Sequence, residues 1–364
     1  MNTILTDRQT DRQTDRQTDR QTDRVIYLDF LRVIATFAVI ILHVAAQNWH
    51  NVEVSSFEWK IFNLYDSIFT WCVAIFVMIS GALFLSRDIS IRKMYSKYIL
   101  RIVLAFVFWS LIYAVITGDG IEGKIGTFVK GHYHLWFLFM IVGIYMCAPL
   151  ISTIVKAGQT KYFLTLGILF AFVFPSIFQL SDDFGHGAMQ KLILVTSEDV
   201  KNMNIYMVLG YAFYFVLGHH VSKVEILKKY RIIIYMLGVV GAIATACLSF
   251  GISSQSGIAS QNYYNDFWIG ILFEALAIFV LVKYIFACSS ETIRVVLSRL
   301  SKYSFGAYLV HALIIEGFNK IVGLNTLSFN PCLSVPCIAI IVFVISFCIS
   351  AVLNHIPWIS KYIV

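Results

Sequence analysis

The chain has 364 residues, of which 59% are hydrophobic, 15% aromatic and only 13% charged, with a mean hydropathy of +0.76. That balance excludes an ordinary soluble domain and points to a polytopic membrane protein. The net charge of +7 and pI near 8.9 would suit a nucleic-acid binder, but the basic residues sort by loop and read as membrane topology instead.

Residues 6–24 read TDRQTDRQTDRQTDRQTDR, a strict four-residue period without an apolar side chain. Such a segment cannot bury a core and is expected to be a disordered tail over 1–24. The period also has a genetic reading: an ACAG string read in triplets as ACA-GAC-AGA-CAG encodes Thr-Asp-Arg-Gln. Gain or loss of one four-base unit would then shift the frame and switch expression. A protein-level spacer or a twelve-base repeat is the alternative.

Apolar runs of bilayer-spanning length fall near 28–48, 64–86, 98–117, 135–155, 162–180, 205–221, 232–250, 267–287, 303–322 and 334–354. They predict an all-α integral membrane bundle of about ten helices over 25–364. Lys and Arg gather before the first helix and after helices two, four, six and eight, against Lys60, Lys124, Lys130, Lys191 and Lys201 on the opposite loops. By the positive-inside rule both termini are expected in the cytoplasm. The first apolar segment is long and follows a polar tail, unlike a cleavable signal peptide. The cysteines at 72, 147, 247, 288, 332, 337 and 348 show no metal-type spacing, so neither a metal site nor a disulfide framework is expected.

The first helix, YLDFLRVIATFAVIILHVAAQNWH, spans a membrane yet carries Asp29, Arg32 and His43. At about 100° per residue these three, with Thr36 and Gln47, fall within about 60° of one another. Asp29 and Arg32 alone would read as an interfacial i, i+3 pair and His43 as a bundle histidine. Alignment of all five along about 27 Å of helix predicts a polar cavity through the bundle, with Arg32 and His43 about 16 Å apart.

Arg32 and His43 also form an R-x10-H pattern. Further segments follow in order: FVMISGALFL from Phe76, YILRIVLAFVFWSLIY from Tyr98, HLWFLFMIVGIYMCAPLI from His134 and SKYSFGAYLVHALII from Ser301. Together they resemble acyltransferase family 3, the membrane O-acyltransferases of surface glycans, and most closely its single-domain bacterial O-acetyltransferases of the enterobacterial-common-antigen type. The resemblance implies a multi-pass protein of the bacterial inner membrane, acetyl-CoA as cytoplasmic co-substrate with no bound cofactor, and a surface or lipid-linked sugar hydroxyl as acceptor on the periplasmic side. His43, with Arg32 and Asp29, is then the expected catalytic group, acting as general base or carrying a covalent acyl intermediate. Switchable expression through the repeat suits an enzyme that alters a surface antigen.

Other residues take roles on this frame. Arg101, with Lys97, is expected to bind donor phosphates, although membrane anchoring explains a basic loop equally well. His134 and Trp136 open the fourth helix on the acceptor side, where Trp136 is either a belt residue or a sugar platform. On the ninth helix Ser304, Tyr308 and His311 share one face. Tyr308 and His311 are assigned to the donor channel, or else they bond neighbouring helices. Glu316 and Glu274 are intramembrane acids, candidates for orienting a histidine or pairing an arginine. The loops at 181–204 and 251–266 are polar enough to meet an acceptor, or are plain connectors.

A rival reading is a proton-coupled transporter or exporter of a polysaccharide precursor, since buried His, Arg and Glu also suit a proton relay. No internal repeat supports it. The expected partners are acyl-CoA, a glycan acceptor, the lipid bilayer and glycan-assembly proteins, but no nucleic acid.

Overall fold

The computed structural model describes residues 25–118, 120–286 and 291–364; the expected disorder of the tail lies outside these residues. Among them the fold is all helical. Its main helices are α1 (Ile26–Ala45), α2 (Phe57–Phe69), α3 (Cys72–Phe84), α4 (Leu100–Thr117), α5 (Gly120–Lys130), α6 (Trp136–Lys156), α7 (Thr160–Gly167), α8 (Phe174–Phe184), α9 (Gly187–Asn202), α10 (Tyr211–Lys223), α11 (Lys228–Ser256), α12 (Ile269–Ile285), α13 (Glu291–Gly317), α14 (Pro331–Asn354) and α15 (Pro357–Tyr362).

Nine helical stretches among the described residues are long and apolar enough to cross a membrane: Ile26–Asn48, Phe57–Phe84, Ile91–Thr117, Trp136–Lys156, Thr160–Phe184, Lys228–Ser256, Asn262–Ile285, Thr292–Val322 and Pro331–Asn354. The protein is a multi-pass membrane bundle. The remaining expected span, 205–221, is shorter than its apolar run suggested. There α10 has 13 residues, about 20 Å of helix, preceded by a turn at Tyr206–Val208. Its apolar residues serve the protein interior, since Phe213, Tyr214, Phe215 and Val216 are fully buried.

The second span begins seven residues earlier than the apolar run, at Phe57, where the Ser56 hydroxyl accepts from the Trp59 amide at 3.1 Å. It is interrupted at Thr70 and Trp71. The Thr70 hydroxyl donates to the Asp66 carbonyl and the Trp71 indole to the Ile68 carbonyl at 2.6 Å, so side chains occupy carbonyls at the break. This break leaves Asp66 and Thr70 facing the interior beside α1.

Helix α1 runs through the centre, packed against α13, α3, α14 and α2. Leu31, Ala35, Ala38 and Ile40 have no exposed surface. Helix α11 instead turns Met236, Val239, Val240 and Ile243 outward, as a lipid-facing helix does.

Helices α3 and α10 approach almost backbone to backbone. A Cβ on Gly81 would lie 1.7 Å from the Phe215 carbonyl oxygen, and one on Gly218 would lie 2.0 Å from that of Met78. Only glycine permits this contact, the small-residue solution to helix packing in lipid. Gly81→Ala or Gly218→Ala should therefore destabilise the bundle by about 1–3 kcal/mol through overpacking. Gly143→Ala is the control, because nothing lies within 4 Å of a Cβ there. Thermal unfolding of detergent-purified variants checks this; equal midpoints for all three would refute the close packing.

Candidate active site

The polar stripe of α1 faces α13 at both ends. The Ser301 hydroxyl donates to Asp29 Oδ1 at 2.7 Å, and Arg32 Nη1 lies 3.5 Å from the same oxygen and 3.4 Å from Ser301 Oγ. Farther along, His43 Nδ1 is 2.7 Å from His311 Nε2, with the two rings nearly parallel. The middle is closed. Thr36 is fully buried and its hydroxyl turns back to the Arg32 carbonyl at 2.8 Å. The expected continuous polar cavity is therefore corrected to two cavities, one beside each end of the stripe.

The first has a volume of about 530 Å3 and is lined by Arg32, Arg87, Arg101, Lys302, Tyr98, Ser301 and Ser304, among others. Four of its lining residues are cations, and none of the described ones carries a carboxylate. The second, about 360 Å3, is lined by His43, His134, Asp66, Asp266, Thr70, Trp136, Gln261 and Tyr264, among others, with no Lys or Arg among the described residues. Phe76, Phe137 and Tyr308 line both. Their ring centroids lie 5.7–6.5 Å apart, so the three rings form an aromatic partition between the cavities. The Tyr308 hydroxyl donates to the His134 carbonyl and pins that ring in place.

Hydrogen-bond chemistry fixes the histidine tautomers. His311 Nδ1 lies 2.5 Å from the Tyr308 carbonyl, which only accepts, so Nδ1 carries a proton. In neutral His311, Nε2 is then the acceptor and takes the His43 Nδ1–H. His43 is left with its Nε2 lone pair available beside the second cavity. A proton arriving there would create a cation already bonded to a second imidazole, the arrangement a general base needs. Tyr113 steadies this part of α13: its hydroxyl donates to the Leu309 carbonyl at 2.9 Å and accepts from the Leu313 amide at 3.2 Å.

A second histidine pair adjoins the first. His132 Nε2 lies 2.6 Å from Glu316 Oε1, and Lys320 holds the other carboxylate oxygen at 3.1 Å. His132 Nδ1 lies 3.2 Å from His134 Nδ1, which leaves His134 Nε2 buried and without a hydrogen-bond partner where the ring lines the second cavity. Burial, then the proximity of His311 and His43, holds the His134 imidazole well below the usual histidine range.

The residues expected from sequence distribute as follows. His43 and Arg32 line opposite cavities, and Asp29 is buried behind Arg32. Arg101 lines the arginine cavity and donates to the Val364 main-chain oxygen. Lys97 lies in a π turn over Met94–Ile99, is exposed and lines neither cavity. Tyr308 belongs to the partition, and His311 joins His43 rather than the arginine cavity. His134 and Trp136 line the histidine cavity. Glu316 orients His132, whereas Glu274 is buried on α12 and lines neither cavity. Sequence reasoning passed over Asp66, Asp266, His132 and Tyr113. The rule that singled out Glu274, an acid within an apolar run, applies equally to Asp66.

Comparison with known proteins decides the family. The acyltransferase 3 family model, described as an acyltransferase domain, matches residues 25–355, nearly the whole chain. The chain belongs to acyltransferase family 3. No curated protein and no solved structure matches it. Membership makes the protein a membrane acyltransferase.

Replacing His311 with Ala would leave the His43 Nδ1–H without its acceptor and free the ring to change tautomer. Acyl transfer should fall about 10²-fold or more, with His311→Gln recovering part of it because the amide oxygen can accept. Initial rates on equally folded protein measure this, and an unaltered His311→Ala rate would exclude the relay.

Proposed function

We propose that the protein is an O-acetyltransferase that takes acetyl-CoA in the arginine-lined cavity and transfers its acetyl group to a hydroxyl of a surface or lipid-linked glycan in the histidine-lined cavity. The observation that carries this reading is the division of the site: four cations line one chamber, a base lines the other, and three aromatic rings stand between. Arg and Lys suit the phosphates of a nucleotide thioester. A phosphate held beside Arg32 would lie about 16 Å from His43 along α1, a span for an extended thioester arm threaded past Phe76, Phe137 and Tyr308.

In the proposed reaction His43 Nε2 removes the acceptor proton as the hydroxyl oxygen attacks the thioester carbonyl. The tetrahedral intermediate collapses with cleavage of the C–S bond. His43 returns its proton to the departing thiolate, giving an ester and free CoA. The Asp29–Ser301–Arg32 group fixes α1 against α13 and orients the Arg32 guanidinium at the donor chamber. The basic side is the cytoplasmic one on this proposal, with both termini there and the acceptor chamber toward the periplasm of a bacterial inner membrane. Phase-variable expression through the four-residue repeat is part of the same reading.

Purified protein in liposomes should transfer label from acetyl-CoA, and surface glycans of expressing cells should gain acetyl groups absent from cells carrying His43→Ala. Loss of the base should lower transfer about 10²–10⁴-fold. Wild-type rates in a well-inserted His43→Ala protein would end the assignment. A transporter would move its cargo and leave the acetyl label on CoA.

Arg101→Ala should raise the KM for acetyl-CoA about tenfold while leaving the KM for acceptor unchanged, with Lys restoring part of the loss. Equal KM values for wild type and variant would exclude Arg101 as a donor contact.

A further inference from the structure

We infer that the histidine-lined cavity accepts an uncharged sugar ring and excludes sugars bearing a carboxylate or phosphate. The inference rests on the acyltransferase reading of that cavity and concerns which hydroxyl-bearing group it admits.

Asp66 is 7% exposed, and its Oδ1 is buried with no hydrogen-bond partner. It lies one turn before the break at Thr70 and lines the same cavity as His43. An unpartnered buried carboxyl oxygen in a native protein calls for a partner, and a ligand hydroxyl supplies the required donor. Asp266 lines the cavity too, held by the Tyr211 hydroxyl at 2.6 Å on Oδ2 and by the Tyr214 hydroxyl at 2.6 Å on its carbonyl. Among the described residues the cavity therefore offers two carboxyl groups and no Lys or Arg. Its volume of about 360 Å3 sits at the low end for ligand sites, suited to one ring with its neighbours left outside. Trp136 at its rim provides an apolar face against which a ring can stack.

An anionic sugar meets nothing favourable here. Ionised acids repel it, and protonated ones still leave it stripped of water without a compensating cation. A neutral ring donates hydroxyls to both acids and presents another to His43. The contrast with the cation-lined donor cavity also keeps the phosphates of the donor out of the acceptor chamber.

Fragmentation mass spectrometry of surface glycans from cells expressing the wild-type chain, with His43→Ala cells as baseline, locates the added acetyl group. Fragments placing it on an uncharged sugar support the inference. Placement on a uronic, sialic or phosphorylated residue overturns it while leaving the acyltransferase reading intact, and no added acetyl group overturns both. Asp66→Asn should lower glycan acetylation at least about tenfold while changing acetyl-CoA affinity less than about threefold. Unchanged acetylation in a properly inserted variant, or an equal loss of donor affinity, overturns the role of Asp66. Where that variant fails to accumulate, the mapping on the unaltered chain still decides.

Discussion

The structure depends on one seam, the line along which α1 and α13 satisfy each other's polar groups. An ionisable side chain in a bilayer costs about 2.5–3.5 kcal/mol on insertion scales, and α1 carries three. Asp29 and Arg32 meet Ser301, and His43 meets His311, so the groups that would oppose insertion of either helix become the contacts that register the pair. Register then fixes chemistry, because the tautomer of His43 is set through His311 by a backbone carbonyl of α13. Tyr113 reaches from α4 to hold that stretch of α13, so the His43 ring is positioned from three helices.

The two cavities have opposite electrostatic character within one bundle. Guanidinium and ammonium groups surround one, carboxyl and imidazole groups the other. On the proposed reading each substrate is sorted by charge before any chemistry begins, and reaction is confined to the place where the partition lets a thioester through. The charges that would do this sorting come from α1, α2, α4 and α13 and from the connections that carry Arg87 and Asp266.

Much of this was legible in sequence because lipid leaves backbone few options: apolar runs become helices, and polar residues in them must face inward. Arg32 and His43 stood out for that reason and through their R-x10-H spacing. What was not legible depends on contacts between distant segments. The pairing of His43 with His311 joins residues far apart in the chain, and the place of Asp66 beside the cavity depends on a helix break at Thr70 and Trp71, whose side chains bond nearby carbonyls. Lys97 illustrates a local limit, since a basic residue near Arg101 in sequence is exposed and lines neither cavity. The short α10 shows another: an apolar run predicts burial equally in lipid or in protein, and only its packing against Gly81 distinguishes the two.

The aromatic partition has a consequence for the cell rather than for the reaction. On the proposed reading the two chambers open toward opposite sides of the membrane; joined, they would form a pore, and the imidazoles beside it would conduct protons down the transmembrane potential. Phe76, Phe137 and Tyr308, which among the described residues line both chambers, put a layer one side chain thick between them. On the same reading, in a bacterial inner membrane, that layer would let a cell carry many copies of the protein without draining its proton gradient.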